Sequence, residues 1–338
     1  MTALFGALLL LAACSTPPGP APVPPAPPST APAPRSGELL GQSERFVVYL
    51  PGPEDSLRGL AERFLGSAER EWEIGDFNAI SRAQAGQPLA IPLQPLNRLG
   101  VHADHYQTVP ILCYHRFGGT GGKMSVTPAN FAAQLDWLAR NGYHVIRLSQ
   151  LVDFLAGRQA LPRRSVVITI DDGYESVHRY ALPLLRKHGF PATLFVYTDF
   201  IGAGDALSWA QLQELAESGL VDVQAHSKTH RNLIERDAEA SEPRYRQELE
   251  SEVRVPRELL QRHLPVRVRH FAYPFGDANE LVLELLERQQ YELAVTVHPG
   301  GNAFFAQPLM LRRTMIFGDH DLDAFKAKLQ IGRSHGQP

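Results

Sequence analysis

The chain is expected to fold as an α/β protein, with a parallel sheet closed or nearly closed into a (β/α) barrel behind a small βααβ domain. Three observations carry that expectation. From about residue 105 onward, short apolar runs rich in β-branched residues alternate with segments of helical period, the signature of repeated βα units. One such run, Val166-Val167-Ile168-Thr169-Ile170, ends in Asp171-Asp172-Gly173, so a buried strand would deliver two carboxylates to its C-terminal tip. Another, the run 220–225, leads straight into His226-Ser227-Lys228-Thr229-His230. Two histidines four apart can close on one ion from the same side of a turn or helix.

The elements in order begin with residues 3–13, an apolar run too short to cross a bilayer as a permanent helix. It ends in Leu11-Ala12-Ala13-Cys14-Ser15, which resembles the lipobox of bacterial lipoproteins. That resemblance implies a signal peptide over 1–13 and a membrane anchor through a lipidated Cys14. Ser15 after the cysteine resembles the outer-membrane sorting pattern. The implied location is the bacterial cell envelope, lipid-anchored, at the outer membrane facing the periplasm. One departure is that no Lys or Arg precedes the apolar run. Residues 14–43 read as a tether, because the Pro- and Ala-rich stretch 15–34 cannot bury a core and should run extended.

Composition bounds the rest. With two cysteines in 338 residues, lipidation of Cys14 leaves Cys113 as the only thiol, so no intramolecular disulfide can form and the fold must rest on its core. The net charge of −3 and the lack of a basic tract exclude nucleic acid as a partner.

Residues 44–94 predict the small domain. The run 46–50 reads as a strand, and Asp55 or Ser56 can cap a helix whose apolar face is Leu57, Leu60, Ala61 and Phe64. A second helix is expected over 68–74, and a closing strand over 86–92. Tyr49, Asp55-Ser56-Leu57, Ala61 with Phe64, Asn78, and Gly86-Gln87 through Ile91-Pro92 resemble a LysM module. Such modules bind N-acetylglucosamine polymers such as peptidoglycan and chitin. The plainer reading is an accessory packing piece without a sugar site.

A linker over 95–104 leads to the barrel domain, 105–335. Its strands are expected at 109–114, 144–148, 166–170, 192–197, 220–225, 267–273, 291–297 and 311–316. Thr127 followed by Pro128 opens a helix that runs to Gly142. Further helices are expected at 151–156 and at 180–188, the latter stopped by Gly189. Ser208 with Gln211 makes a capping box for a helix ending at Gly219. The stretch 235–246 reads as polar and exposed, followed by helices at 247–263, 278–290 and 321–330.

Taken singly, Asp-Asp-Gly also suits a plain turn, and a histidine pair can be an incidental surface feature. Together they supply one carboxylate and two imidazoles for a metal, with a carboxylate left over. Thr169-Ile170-Asp171-Asp172-Gly173 and His226-Ser227-Lys228-Thr229-His230 also resemble the first two motifs of the NodB-homology polysaccharide deacetylases. The resemblance covers roughly 105–330 and implies a distorted barrel of about seven strands. Two departures refine it. The family's late histidine motif has no counterpart after residue 300, and His320 looks like part of a helix start. Pro110-Ile111-Leu112-Cys113-Tyr114-His115 instead resembles the Tyr-His strand of the circularly permuted poly-β-1,6-N-acetylglucosamine deacetylase subgroup, whose acid histidine comes first. In Phe271-Ala272-Tyr273-Pro274-Phe275-Gly276, Ala272 stands where the family's base-orienting arginine would be, leaving open what positions the base.

The resemblance implies a division of labour. Asp172, His226 and His230 would hold a divalent ion, most simply Zn2+, with Co2+, Ni2+ or Fe2+ also compatible with mixed nitrogen and oxygen ligands. Asp171 would be the general base and His115 the general acid. A backbone N–H of Phe275 or Tyr174 would face the oxyanion. Tyr273, Phe275 and Trp209 are candidate stacking faces for a sugar, although aromatics so placed are more often core. Three readings follow. The first is an N-deacetylase of an N-acetylglucosamine-containing polysaccharide, favouring poly-β-1,6-N-acetylglucosamine by motif form. The second is a peptidoglycan or chitin-type deacetylase docked by the LysM-like module. The third is a non-catalytic glycan-binding lipoprotein, which would have no use for an unpaired base.

Overall fold

The computed structural model describes residues 37–119 and 122–334. The expected signal peptide, Cys14 and the proline-rich stretch therefore lie outside the described residues. The first unit is a three-stranded antiparallel sheet of β1 (Glu38–Gln42), β2 (Phe46–Leu50) and β3 (Leu89–Pro92), with β2 central. Helices α1 (Leu57–Leu65) and α2 (Glu71–Asn78) join β2 to β3. Alternation along β2 turns Val47 and Tyr49 inward, where Leu60, Ala61, Ile74, Leu89 and Ile91 meet them. Ser56 caps α1 by accepting from the Gly59 N–H at 3.1 Å. Asn78 locks α2 to β3, donating to the carbonyls of Ile74 and Ala90 and accepting from the Ala90 N–H.

Strand β1 corrects the expected tether boundary at residue 43. Its residues are mostly exposed, so it is recruited by backbone pairing with β2 and carries no hydrophobic alternation to announce it.

The second unit begins with β4 (His105–Gln107) and β5 (Val109–Tyr114), then the short parallel pair β6 (Arg116–Phe117) and β7 (Ser125–Val126). There follow α3 (Pro128–Arg140), β8 (His144–Ile146), α4 (Gln150–Leu155), β9 (Ser165–Ile170), α5 (Leu182–His188) and β10 (Ala192–Val196). Next come α6 (Trp209–Glu217), β11 (Val221–Ala225), α7 (Glu242–His263), β12 (His270–Ala272), α8 (Glu280–Arg288) and β13 (Leu293–Val295). The chain closes with β14 (Gly301–Asn302), β15 (Thr314–Met315), α9 (Leu322–Lys326) and β16 (Gly332–Ser334), the last pairing with β4.

Parallel pairing runs in the order β13-β12-β11-β10-β9-β5, and β15 adds to the far side of β5. A parallel bridge from Leu311, just ahead of β15, to Val295 of β13 brings the two ends of the curled sheet together. Seven parallel strands thus form the curled α/β sheet, while β8 pairs along the first half of β9 and β14 lies antiparallel on β5.

Strand alternation sorts the core into two sets. Val109, Ile111, Val167, Phe195, Ala272, Leu293, Val295 and Leu311 fill the interior, and Leu151 and Phe154 of α4 pack against them. Leu112, Ile168, Ile170, Leu194, Val223 and Phe271 turn outward beneath the helices. Each fully buried side chain of this size contributes roughly 1.5–3 kcal/mol.

The capping box of Ser208 and Gln211 is present at the start of α6, and Thr127 caps α3 ahead of Pro128. Helix α7 starts at Glu242, five residues before the sequence-based start at 247. Tyr245, in the stretch expected to be exposed, is buried and donates its hydroxyl to the Leu233 carbonyl at 2.6 Å. A single aromatic among charged residues does not shift the hydrophobic period, so this first turn reads as surface.

Candidate active site

Inward-facing positions at the C-terminal tips of the strands converge on one spot. Counting by twos from Ile111, Val167, Gln224 and Leu311 reaches His115, Asp171, His226 and Arg313. Asp171 is only 2% exposed, and Arg313 is fully buried opposite it. The guanidinium grips the carboxylate through both oxygens, Nη1 to Oδ1 and Nη2 to Oδ2, each at 2.7 Å. Arg313 is itself fixed, donating Nε–H to the Thr296 carbonyl and Nη1–H to Thr169 Oγ1. Cys113 adds a weak S–H donation to Asp171 Oδ2 at 3.5 Å. Burial alone would push the Asp171 carboxyl up, but Arg313 and then His226 outweigh it and hold the acid below its ordinary range.

Arg313 answers the question left by Ala272. The sequence reading missed it, although a signal was present. Arg312 and Arg313 are adjacent in a strand-like run, and neighbouring strand residues face opposite sides, so one of the two must point into the barrel.

Asp172, His226 and His230 form the second cluster. Asp172 Oδ1 lies 3.5 Å from His226 Nε2 and 3.3 Å from His230 Nε2, and the three donor atoms lie within 4.8 Å of one another. His226 Nδ1 lies 2.8 Å from the carbonyl of Ala272, which can only accept, so this nitrogen carries a hydrogen and Nε2 is the ring atom turned toward Asp172. Two imidazole nitrogens and a carboxylate oxygen converging without a hydrophobic barrier between them suit a divalent cation. Burial opposes ionisation of Asp172, yet hydrogen bonds from His226 and His230 hold its carboxyl well below the usual range.

The backbone is strained to achieve this. Asp172, Ser227 and His230 all have positive φ, at 75°, 67° and 63°. The histidines are thus carried by a turn and not by a helix. Gly173, at φ 90°, has no alternative, since a Cβ there would stand 2.9 Å from Val196 Cγ1.

His115 joins Asp171 and Cys113, one donor atom of each lying within 4.8 Å of the others. Its Nδ1 is buried without a hydrogen-bond partner. Burial favours the neutral ring and outweighs the carboxylates of Asp171 and Asp172, which favour the imidazolium, so the ring is held below the ordinary histidine range. Phe275 stands on the rim, 59% exposed, with its ring centroid 5.1 Å from that of His230. Tyr174 is also at the rim, with the Arg116 guanidinium 3.9 Å above its ring. Tyr197, not singled out in the sequence, lies against His230 at 5.0 Å and stacks on Phe200.

Two aromatic candidates are not brought to the site. Tyr273 is fully buried and donates its hydroxyl to the Leu309 carbonyl at 2.8 Å, so its side chain offers no face to a sugar. It belongs to the outward set with Phe271, which alternation along the strand requires. Trp209 opens α6 and stacks on His263 of α7.

Residues 158–294 match the family model for polysaccharide deacetylase. The Bacillus subtilis (strain 168) protein YxkH is 30% identical over 192 residues, covering 57% of this chain and 65% of YxkH. The poly-beta-1,6-N-acetyl-D-glucosamine N-deacetylase of Escherichia coli (strain K12) is 26% identical over 211 residues, covering 52% of this chain and 31% of that enzyme. The chain therefore spans less than two thirds of the length of either curated relative. Among solved structures, IcaB from Ammonifex degensii superposes with a TM-score of 0.59 at 28% identity, covering 66% of this chain and 97% of IcaB. The curled sheet is thus the fold of IcaB and of the Bacillus cereus polysaccharide deacetylase BC0361, which superposes with a TM-score of 0.57 at 24% identity over 72% of this chain and 74% of that one. The segment matched by the family model contains both Asp171-Asp172 and the two histidines.

Proposed function

We propose that the chain is a metal-dependent hydrolase that removes N-acetyl groups from an N-acetylglucosamine-containing polysaccharide at the bacterial cell envelope. The observation that carries this reading is the pairing of a clamped carboxylate, Asp171, with a separate ligand trio at the same strand tips. Asp172, His226 and His230 would hold the ion, and zinc, cobalt, nickel or iron all suit the donor set. A divalent cation there would supply Lewis acidity toward the amide carbonyl and make a nearby water more acidic.

The chain's own groups do the rest. Asp171, ionised and aimed by Arg313, takes the proton of the attacking water. The charge that develops on the carbonyl oxygen falls to the backbone N–H of Phe275 or of Tyr174. His115 hands a proton to the departing nitrogen, the C–N bond breaks, and acetate and a free amine leave. Without that proton the bond would have to expel an amide anion. Phe275, Tyr174 and Tyr197 frame the mouth through which a sugar would approach.

Poly-β-1,6-N-acetylglucosamine is the favoured polymer, on the upstream position of His115 and on the activity for which the Escherichia coli relative is named. The N-terminal βααβ unit, if it docks on glycan as a LysM module does, favours peptidoglycan or a chitin-type polymer instead. Lipidation at Cys14 would keep the enzyme at the membrane. The deciding experiment strips and restores metal on the full chain and measures acetate release from β-1,4 and β-1,6 N-acetylglucosamine oligomers. Release from the β-1,6 series supports the first polymer and release from the β-1,4 series the second. Silence on both, with metal restored, removes the hydrolase reading.

A further inference from the structure

We infer that Glu252, on α7 and distant in sequence from every residue assigned so far, is the positioning residue that sets the metal-ligating turn. The proposal rests on the assignment of Asp172, His226 and His230 as ligands.

Glu252 is 5% exposed, and burying a carboxylate is costly unless its oxygens are satisfied. Its bonds all run to one place. Oε2 accepts the consecutive N–H groups of Lys228 and Thr229, each at 2.9 Å, and Oε1 accepts the Thr229 hydroxyl at 2.8 Å. Lys228 does not neutralise it, because its ammonium pairs with Asp199 at 2.7 Å. The carboxylate therefore acts as an anchor for the backbone between the two histidines.

That backbone needs an anchor. Ser227 and His230 occupy the left-handed region, which side-chain-bearing residues leave unless the surroundings hold them. His226 is fixed independently, by its N–H to the Val196 carbonyl and its ring to Ala272. His230 is held differently. Its N–H donates to Ser227 Oγ at 2.9 Å, and its ring rests between Tyr197 and Phe275. The distance between the two imidazoles is thus set by the turn, which Glu252 and Ser227 hold together with the backbone N–H groups of Thr198 and Asp199 on the carbonyls of Ser227 and Lys228. The same bonds account for the Ser and Thr within His226-Ser227-Lys228-Thr229-His230.

The test measures zinc affinity of the metal-stripped full chain by competition with a chromophoric chelator, alongside the melting temperature of the metal-free protein. Glu252→Leu should weaken zinc binding about 10–100-fold. Glu252→Gln should recover most of that loss, because its carbonyl can accept both N–H groups while its amide donates to Thr229 Oγ1. Wild-type affinity in Glu252→Leu overturns the proposal, as does a lowered metal-free melting temperature in both variants with affinity unchanged. If the leucine variant does not fold, Thr229→Val replaces it, with weakened zinc binding supporting the role and unchanged binding overturning it. A wild-type chain that takes up no divalent ion sinks the ligand assignment itself, an outcome distinct from normal uptake that is indifferent to residue 252.

Discussion

At the scale of single residues, the site separates two adjacent carboxylates by what each one faces. Asp171 meets a buried guanidinium through both oxygens, and Asp172 meets two imidazoles. Asp171→Asn should therefore abolish acetate release while zinc binding persists, and His230→Ala should lose zinc. The opposite pattern in paired affinity and turnover measurements reverses the two roles. Arg313→Met leaves Asp171 buried and unpaired, so it should lower unfolding free energy by about 3–5 kcal/mol in a denaturant titration. An unchanged midpoint would mean that water reaches the carboxylate and that the clamp contributes little. His115→Ala should reduce kcat about 10²–10⁴-fold, as expected for losing a general acid. A kcat within error of wild type sends the search for the acid elsewhere. The two carboxylates, the two histidines and His115 were all legible as types at strand ends. Arg313 was not, because its partner lies 142 positions away and nothing local to the strand says which arginine turns inward.

At the scale of elements, the legible features were those that residues create with their near neighbours. The caps of α3 and α6 depend on residues three apart, and both occur where the sequence places them. The misread features depend on partners far along the chain. Strand β1 forms by pairing with β2, and the first turn of α7 is recruited when Tyr245 reaches Leu233. The loop after β12 shows how a glycine can serve the site by placing its neighbour. Gly276, at φ 82°, would drive a Cβ into the side chain and the backbone nitrogen of Val297, and it follows the rim residue Phe275, itself at φ 60°. Gly276→Ala should cost upwards of about 1 kcal/mol through the left-handed backbone alone. Its activity should fall further than its stability, since the loop must shift to relieve the clash. A variant with full turnover and an unchanged melting temperature would show that the backbone at Val297 yields without cost.

At the scale of the whole molecule, curling of the sheet turns a linear pattern into a site. The bridge between Leu311 and Val295 and the pairing of β15 with β5 bring the last strand beside the first, which is how Arg313 comes to face Asp171. The N-terminal unit touches the barrel through a hydrogen bond from the Arg163 N–H to Asp76. If that unit docks on glycan, the full chain should pellet with insoluble peptidoglycan, and recovery in the supernatant would leave it a spacer.

What the amino-acid sequence determined by itself was whatever has a period or a short span. It specified alternating βα units, helix caps, two carboxylates at one strand tip and two histidines four apart, because local geometry repeats along the chain. The tertiary structure alone decided which arginine clamps Asp171, that Tyr273 is core, and that Glu252 reaches across to hold the histidine turn. Those outcomes depend on the closure of the sheet and on the packing of α7, and no local pattern encodes the meeting of residues that only a closed sheet brings together.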